Sequence, residues 1–221
     1  MGITEKSRFE QLRRNWNSRL RAWQTDRQNK ALYGEDAPRF AEQLWVPISE
    51  LEFAVKAGSS KQSGQIIRSW PTGGLGRVDQ TVAIKACVAH WRGGLSWEET
   101  GIYDAMMDQI RKHGKVDRLR TLEDVKLRYR QLDALYESVR QAGRLSPRDE
   151  LIPGNFREEG GILVNIGPDG KPYFGRKGNH RLAMAIAAGI DRIPAQLGVV
   201  HIEGLPALPD YRNAPPNETA N

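Results

Sequence analysis

The chain has 221 residues, of which 39% are hydrophobic and 27% charged, and its formal net charge is +6. No apolar run approaches the roughly 20 residues needed to span a bilayer, so we expect a cytoplasmic protein without a membrane partner. The single cysteine, Cys87, excludes a disulfide within this sequence and a multi-cysteine metal site. The positive charge is compatible with nucleic acid or with a nucleotide as partner.

Residues 1–32 predict an amphipathic N-terminal helix. Large apolar residues recur there at spacings of three and four, with arginines on the other faces; they are Phe9, Leu12, Trp16, Leu20 and Trp23. One interpretation is a peripheral helix that docks its two tryptophans on the core. The other is a basic arm for nucleic acid or another anionic partner.

The next segment predicts a strand followed by a short helix. The strand is expected at 44–48 and the helix at 49–55, because Ser49 stands three residues before Glu52 in the spacing of a capping box. Residues 58–78 have no sustained period and predict a long loop. Its glycine cluster, 73–77, either contacts a phosphate or is simply flexible.

Three helices are predicted in the middle of the chain. One runs from Gln80 to Gly93, one begins with a capping box between Ser96 and Glu99 and continues to Ile110, and one runs from Leu122 to Ala142. Their aromatic residues are at helical spacing, which favours a role in the core over a base-stacking surface. Cys87 lies in the apolar pattern of the first of these helices, which favours a small core residue over a nucleophile.

The C-terminal third predicts a hairpin, a basic turn and a helix. Apolar residues 162–166 and 173–174 flank a Gly-Pro-Asp-Gly turn, which is a strong hairpin signal. A basic turn over 175–181 then opens into a small-residue helix that ends at Gly189, and a strand follows. Residues 204–221 are rich in proline and asparagine, and we expect them to be a disordered tail.

The basic turn is the strongest functional signal in the sequence. The first N–H groups of a helix have no intrahelical partner, and the helix dipole favours negative charge there. The candidate ligand-binding residues of the turn are Arg176, Lys177, Gly178, Asn179, His180 and Arg181. Arginine donates two parallel hydrogen bonds to phosphate, which makes phosphate the expected ligand. The alternative is a solvated basic helix cap.

Three residues are candidates for catalysis. His180 can donate a hydrogen bond or titrate near neutral pH. Glu50 and Glu52 could supply a general base if the first strand ends beside the turn, and they are otherwise surface charges. The remaining histidines have no ligands at metal-binding spacing, so no metal site is predicted within the protein itself.

Residues 132–151 and 162–200, together with 45–51, resemble the ParB/sulfiredoxin-like domain. They match a helix, a strand and a hairpin, then a G-x-x-x-x-H/R-R-x-x-A turn into a helix, and finally G-x-x-x-I-P before a last strand. The resemblance implies an α+β fold with a small mixed sheet over 44–202. It also implies a helical insertion at about 57–121 and an added N-terminal helix.

The resemblance further implies that the turn binds nucleotide phosphates, since Gly178, His180 and Arg181 match the family's phosphate turn. Asn179 stands where sulfiredoxin has its catalytic cysteine, which argues against sulfinic acid reduction. The function implied is a phosphotransferase or NTPase that acts on a small molecule with a nucleoside triphosphate or diphosphate and Mg²⁺. The alternatives are a nucleic-acid-binding or nuclease-like module and a non-catalytic assembly protein, the latter favoured by Lys177 at a usually acidic position.

Overall fold

A computed structural model describes residues 8–71, 73–147, 150 and 161–213. The helices are α1 (Arg8–Tyr33), α2 (Val82–Trp91), α3 (Ile102–His113), α4 (Leu122–Ala142) and α5 (Asn179–Ala188). The strands are β1 (Gln43–Pro47), β2 (Phe53–Ala54), β3 (Ile66–Ile67), β4 (Gly76–Arg77), β5 (Ile162–Ile166), β6 (Pro172–Phe174) and β7 (Arg192–His201). Short 3₁₀ helices cover Ile48–Glu50, Val78–Gln80 and Ile202–Tyr211.

The strands form one mixed sheet in the order β1-β7-β5-β6-β2-β4. β7 is the central strand: it pairs in parallel with β5 on one side, and on the other with β1 in antiparallel and with β3 in parallel. Nine of its ten residues are buried, which is expected for a strand covered on both faces. The predicted α+β class with a mixed sheet is therefore confirmed.

Helix α5 lies at the centre of the molecule. It packs against β5, α2 and α4, and five of its ten residues are buried while none is exposed. Alanines on several of its faces allow these neighbours to approach closely, and a helix that is apolar all round is stable only when it is surrounded. This position fixes the first turn of α5, and with it the basic turn, relative to the sheet.

Several predicted elements are confirmed. α4 has the bounds Leu122–Ala142; Thr121 and Asp124 form a reciprocal capping box at its start, and Gly143 ends it in the left-handed conformation. The hairpin of β5 and β6 is antiparallel, with Val164 opposite Phe174. The capping box of Ser96 and Glu99 also forms, but it closes a separate turn because α3 begins only at Ile102.

The helix predicted at 49–55 is wrong. Residues 48–50 form one 3₁₀ turn, and Phe53 and Ala54 then form β2 between β6 and β4. The spacing of Ser49 and Glu52 is compatible with a helix, but backbone pairing with two neighbouring strands satisfies more hydrogen bonds than a single isolated turn would.

The face on which α1 packs also differs from the prediction. Among the side chains of α1 that the structure describes, 16–33, the buried ones are small or polar, namely Ser18, Ala22 and Asn29, whereas Trp16 and Trp23 are 66% and 60% exposed. Asn29 donates to the carbonyl oxygens of Pro38 and Gly64, and Asp26 accepts from the backbone N–H of Phe40. These hydrogen bonds and a small apolar cluster of Ala22 with Phe40 and Ala41, rather than the tryptophans, therefore hold the helix to the body.

The regions expected to be peripheral also contribute to the fold. Residues 57–121, expected as an insertion, supply β3 and β4 to the sheet and supply α2, which packs on α5. The expectation of a disordered tail from residue 204 is wrong up to Tyr211, because that stretch forms a 3₁₀ helix whose Leu208 and Tyr211 are buried. Residues 214–221 lie outside the described residues.

Candidate functional site

The basic turn connects the end of β6 to the start of α5 and is fixed to the neighbouring strand β5. The N–H of Gly175 donates to the carbonyl of Leu163, and the N–H of Leu163 donates to the carbonyl of Lys177, at 2.7 and 3.1 Å. These two bonds continue the hairpin pairing past Phe174. The turn is thus fixed to the sheet by backbone hydrogen bonds, as the end of a strand would be.

Gly178 is required at the last position before α5. Its φ is +88°, and a Cβ atom there would lie 2.7 Å from the carbonyl oxygen of Gly161 and 2.8 Å from Cα of Ile162. Both the left-handed conformation and the contact with backbone atoms exclude a side chain. The glycine lets the chain enter the helix directly from the edge of β5.

The N-terminus of α5 has no side-chain cap among the described residues, since its N-cap position is Gly178. The first N–H groups of a helix have no intrahelical acceptor, and the helix dipole gives this end a partial positive charge of roughly half a unit. A side-chain oxygen usually occupies such a position. Glycine has no side chain that could supply this oxygen.

Two arginines connect the turn to neighbouring segments. Arg176 donates to the carbonyl of Gly74 at 2.6 Å, and Arg181 donates to the carbonyl of Ser146 at 2.6 Å. The glycine-rich cluster 73–77, singled out in the sequence, is therefore brought to the turn. Arg176 has a φ of +58°, which is uncommon for a residue with a side chain.

The first turn of α5 carries polar atoms that are buried. Asn179 Oδ1 and His180 Nε2 have no hydrogen-bond partner among the described residues, and neither does the buried hydroxyl of Tyr129 on α4. The rings of Tyr129 and His180 are nearly perpendicular, with their centroids 5.8 Å apart. Buried polar groups in proteins are nearly always satisfied, so each of these atoms calls for an explanation.

His180 is neutral at pH 7. Burial lowers the pKa of its imidazole to about 4; the positive charge of Arg128 adds to this effect and the carboxylate of Asp117 opposes it. His180 therefore contributes one N–H donor to the site and no positive charge. The charge of the site comes from Arg128, Arg176, Lys177 and Arg181.

The structure does not bring Glu50 and Glu52 to the turn. They precede β2, which runs parallel to β6 with Ala54 opposite Phe174, so they lie beside the start of β6 whereas the turn follows its end. Glu50 accepts from the hydroxyl of Tyr211 at 2.7 Å, and Glu52 pairs with Arg77 at 2.8 Å. The two glutamates lie there because residues 53–54 form a strand and are not the end of a helix.

A separate cavity of about 260 Å³ lies beside these glutamates. Its walls combine carboxylates, one lysine and two aromatic rings, and they contain none of the turn residues; the lining is Ser49, Glu50, Glu52, Phe53, Asp169, Lys171, Pro172 and Tyr173. Asp169 is already occupied by the N–H of Lys171 and the hydroxyl of Tyr173. The cavity and the basic turn are therefore two distinct features at opposite ends of β6.

Sequence reasoning did not identify the contributions of Arg128 and Ser146 to the turn. Arg128 lies outside the matched stretches, and Ser146 lies within 132–151 without a predicted role. Only the packing of α4 and the segment after it beside α5 places them there. It also did not identify Asp133, which accepts hydrogen bonds from the indole N–H groups of Trp91 and Trp97 and pairs with His90 at 3.3 Å. That cluster joins α2 to α4 and keeps α4 in place behind the site.

The predicted core assignments of Cys87 and of the helical aromatic residues agree with their burial. Cys87 is fully buried, and desolvation raises the pKa of its thiol to about 12, so it is not a nucleophile at neutral pH. Trp97, Tyr103, Tyr129 and Tyr136 are also buried.

Comparison with known protein families, curated proteins and solved structures finds no match for this chain. The resemblance to the ParB/sulfiredoxin-like domain accordingly stays a prediction. Within the described ranges, no group of three or more His, Cys, Asp or Glu side chains is arranged to hold a metal ion. Across the same residues, none of the helices combines the length and apolar character that crossing a membrane requires.

Proposed function

We propose that this protein binds the phosphates of a nucleoside diphosphate or triphosphate at the turn 175–181. The observation that carries the proposal is the uncapped N-terminus of α5 beside Asn179 and His180, whose buried polar atoms have no partner among the described residues. A phosphate at this position would accept hydrogen bonds from N–H groups of the first turn of α5 and is favoured by the helix dipole.

The side chains of the turn complement the backbone donors. The neutral imidazole of His180 can place its N–H on Nε2, and rotation of the Asn179 amide by 180° exchanges its buried oxygen for an NH₂ donor. The guanidinium group of Arg176 carries five N–H donors in a planar fork that matches phosphate oxygens, and its contact with Gly74 keeps it beside the turn. These groups are the side-chain donors that we propose for the anion.

The order of elements around the turn supports membership of the ParB/sulfiredoxin-like family. The chain runs from strand β5 through a hairpin to β6, then through the basic turn to α5 and on to β7, which is the order that the resemblance implies. In that reading the N-terminal strand β1 is the family's opening strand. Gly178, His180 and Arg181 then occupy the positions of the family's phosphate turn.

We propose binding without a catalytic step, because the glutamates considered as a general base lie at the other end of β6. The described surroundings of the turn supply no cluster of carboxylates for Mg²⁺. They do not fit a magnesium ion held by three or more protein ligands. A phosphotransferase or NTPase activity would require a base other than Glu50 and Glu52 near the turn.

Isothermal titration with ATP, CTP and ADP tests the proposal. We expect at least one nucleotide to bind with a Kd below 1 mM, and Arg176→Ala to weaken binding about tenfold, the effect of losing one charge-assisted contact of about 1.4 kcal/mol. Arg140→Ala serves as the matched control, since Arg140 pairs with Glu137 on the outer surface of α4. Absence of heat for all three nucleotides at millimolar concentration, or equal effects of the two variants, contradicts the proposal.

A further inference from the structure

Helix α1 carries a row of exposed apolar side chains on the surface that faces away from the body. Trp16, Leu20 and Trp23 are 66%, 48% and 60% exposed and follow one another at spacings of four and three. Residues at these spacings share one face of a helix. The small and polar residues that α1 buries, Ser18 and Ala22 among them, lie on the opposite face, so the row points outward.

This helix also accounts for most of the net positive charge of the chain. Residues 8–33 contain seven arginines and lysines against two acidic residues, a net charge of +5 out of +6 for the whole chain. One of the two acidic residues, Asp26, accepts a hydrogen bond from the N–H of Phe40, and burial raises the pKa of its carboxyl. The field of α1 toward solvent is therefore strongly positive, and its partner must be anionic.

The arrangement of charge within the row identifies the kind of anion. Arg27 continues the row one turn beyond Trp23 and lies over its indole ring at 5.4 Å from the centroid. Insertion into a lipid surface would carry this guanidinium group toward the acyl chains, and the apolar row is much narrower than the face of a helix that lies in a membrane. Pairing with α1 of a second copy would bring two strongly cationic helices together.

We propose that α1 is a binding surface for single-stranded nucleic acid. The indoles of Trp16 and Trp23 are about 10 Å apart along the helix at 1.5 Å per residue, and each offers a face on which one base can stack. The arginines of α1 contact the phosphates that link those bases. Exposed aromatic rings interleaved with arginines are the combination that binds single strands without sequence preference.

Fluorescence anisotropy with a fluorescein-labelled dT20 oligonucleotide tests the surface in the full chain. We expect binding in 50 mM NaCl whose affinity falls steeply up to 200 mM, since binding releases counterions from the phosphates. The double variant Trp16→Ala/Trp23→Ala should bind at least tenfold more weakly. Its melting temperature should match that of the wild type, because both indoles are exposed.

Leu32→Ala is the matched control, since Leu32 is an equally exposed apolar residue of α1 at 65% and lies off the row. It should bind the oligonucleotide as the wild type does. The proposal is overturned if dT20 does not bind in 50 mM NaCl, or if the folded double variant binds it with wild-type affinity. It is likewise overturned if phosphatidylserine vesicles or a second copy of the chain bind α1 while the oligonucleotide does not.

Discussion

The turn residue Arg176 and the helix residue His180 make different contributions to the candidate site, the first a positive charge and the second a neutral hydrogen-bond donor. Arg176 is exposed and adopts a left-handed backbone conformation with its guanidinium on the Gly74 carbonyl. His180 is mostly buried, and its imidazole is neutral because desolvation outweighs the influence of Asp117. A cation and a neutral donor four residues apart in the same segment provide both long-range attraction and short-range orientation of an anion.

His180 should make the stability of the protein depend on pH. Its pKa is 6.5 when unfolded and about 4 when folded, so the unfolded chain binds more protons between these values. The stabilisation by neutral His180 is complete above pH 6.5 and is lost as the pH falls through 4. At 1.4 kcal/mol per pKa unit, the loss between pH 7 and pH 4 is on the order of 2–3 kcal/mol.

Urea denaturation at pH 4, 5, 6 and 7 measures this effect. We expect the free energy of unfolding of His180→Gln to decline less toward pH 4 than that of the wild type. His113→Gln, at an exposed position at the end of α3, should keep the wild-type profile. An unchanged pH profile for His180→Gln would show that His180 is not neutral and buried in solution.

At the level of elements, Gly178 determines how α5 joins the sheet. Gly178→Ala places a Cβ atom within 3 Å of the backbone of Gly161 and Ile162 at a φ of +88°, so we expect a loss of about 3 kcal/mol of stability or more. Gly189→Ala is the matched control: Gly189 ends the same helix at a φ of +71°, but nothing lies within 4 Å of its added Cβ. That change should cost about 1 kcal/mol.

Chemical denaturation of the two variants side by side provides the measurement. The difference between them isolates the contact with β5 from the backbone strain that both alanines share. Equal losses would mean that the turn does not pack on β5 as described.

The elements that were predicted correctly are those defined by local signals. α4 has a capping sequence, a regular apolar period and a terminal glycine, and the hairpin has a Gly-Pro-Asp-Gly turn between apolar strands. The segment 49–55 has a local signal for a helix, but its structure depends on β6 and β4, which are distant in sequence. Residues 204–211 likewise read as a tail because burial of Leu208 and Tyr211 is a tertiary effect.

Across the whole molecule, the candidate phosphate site and the α1 surface differ in how far the sequence could predict them. The turn, its residues and the helix that follows are contiguous, so most of the site was predictable; Ser146 and Arg128 were not, because α4 reaches α5 only in three dimensions. For α1, the periodicity indicates an apolar face without showing where it points. Ser18 and Ala22 allow a closer approach to the body than indoles do. The helix therefore packs with these small residues inward and its tryptophans toward solvent, the reverse of the predicted orientation.

The central claim is that nucleotide phosphates bind at the turn and not at the cavity or at α1. An NMR titration of the ¹⁵N-labelled full chain with ADP tests it most directly, because each backbone amide reports separately. We predict that the largest shift changes fall on residues 175–182 and on the adjoining segments around Gly74 and Ser146. No change at millimolar ADP, or changes centred on α1 or on the cavity beside Glu50, would contradict the account.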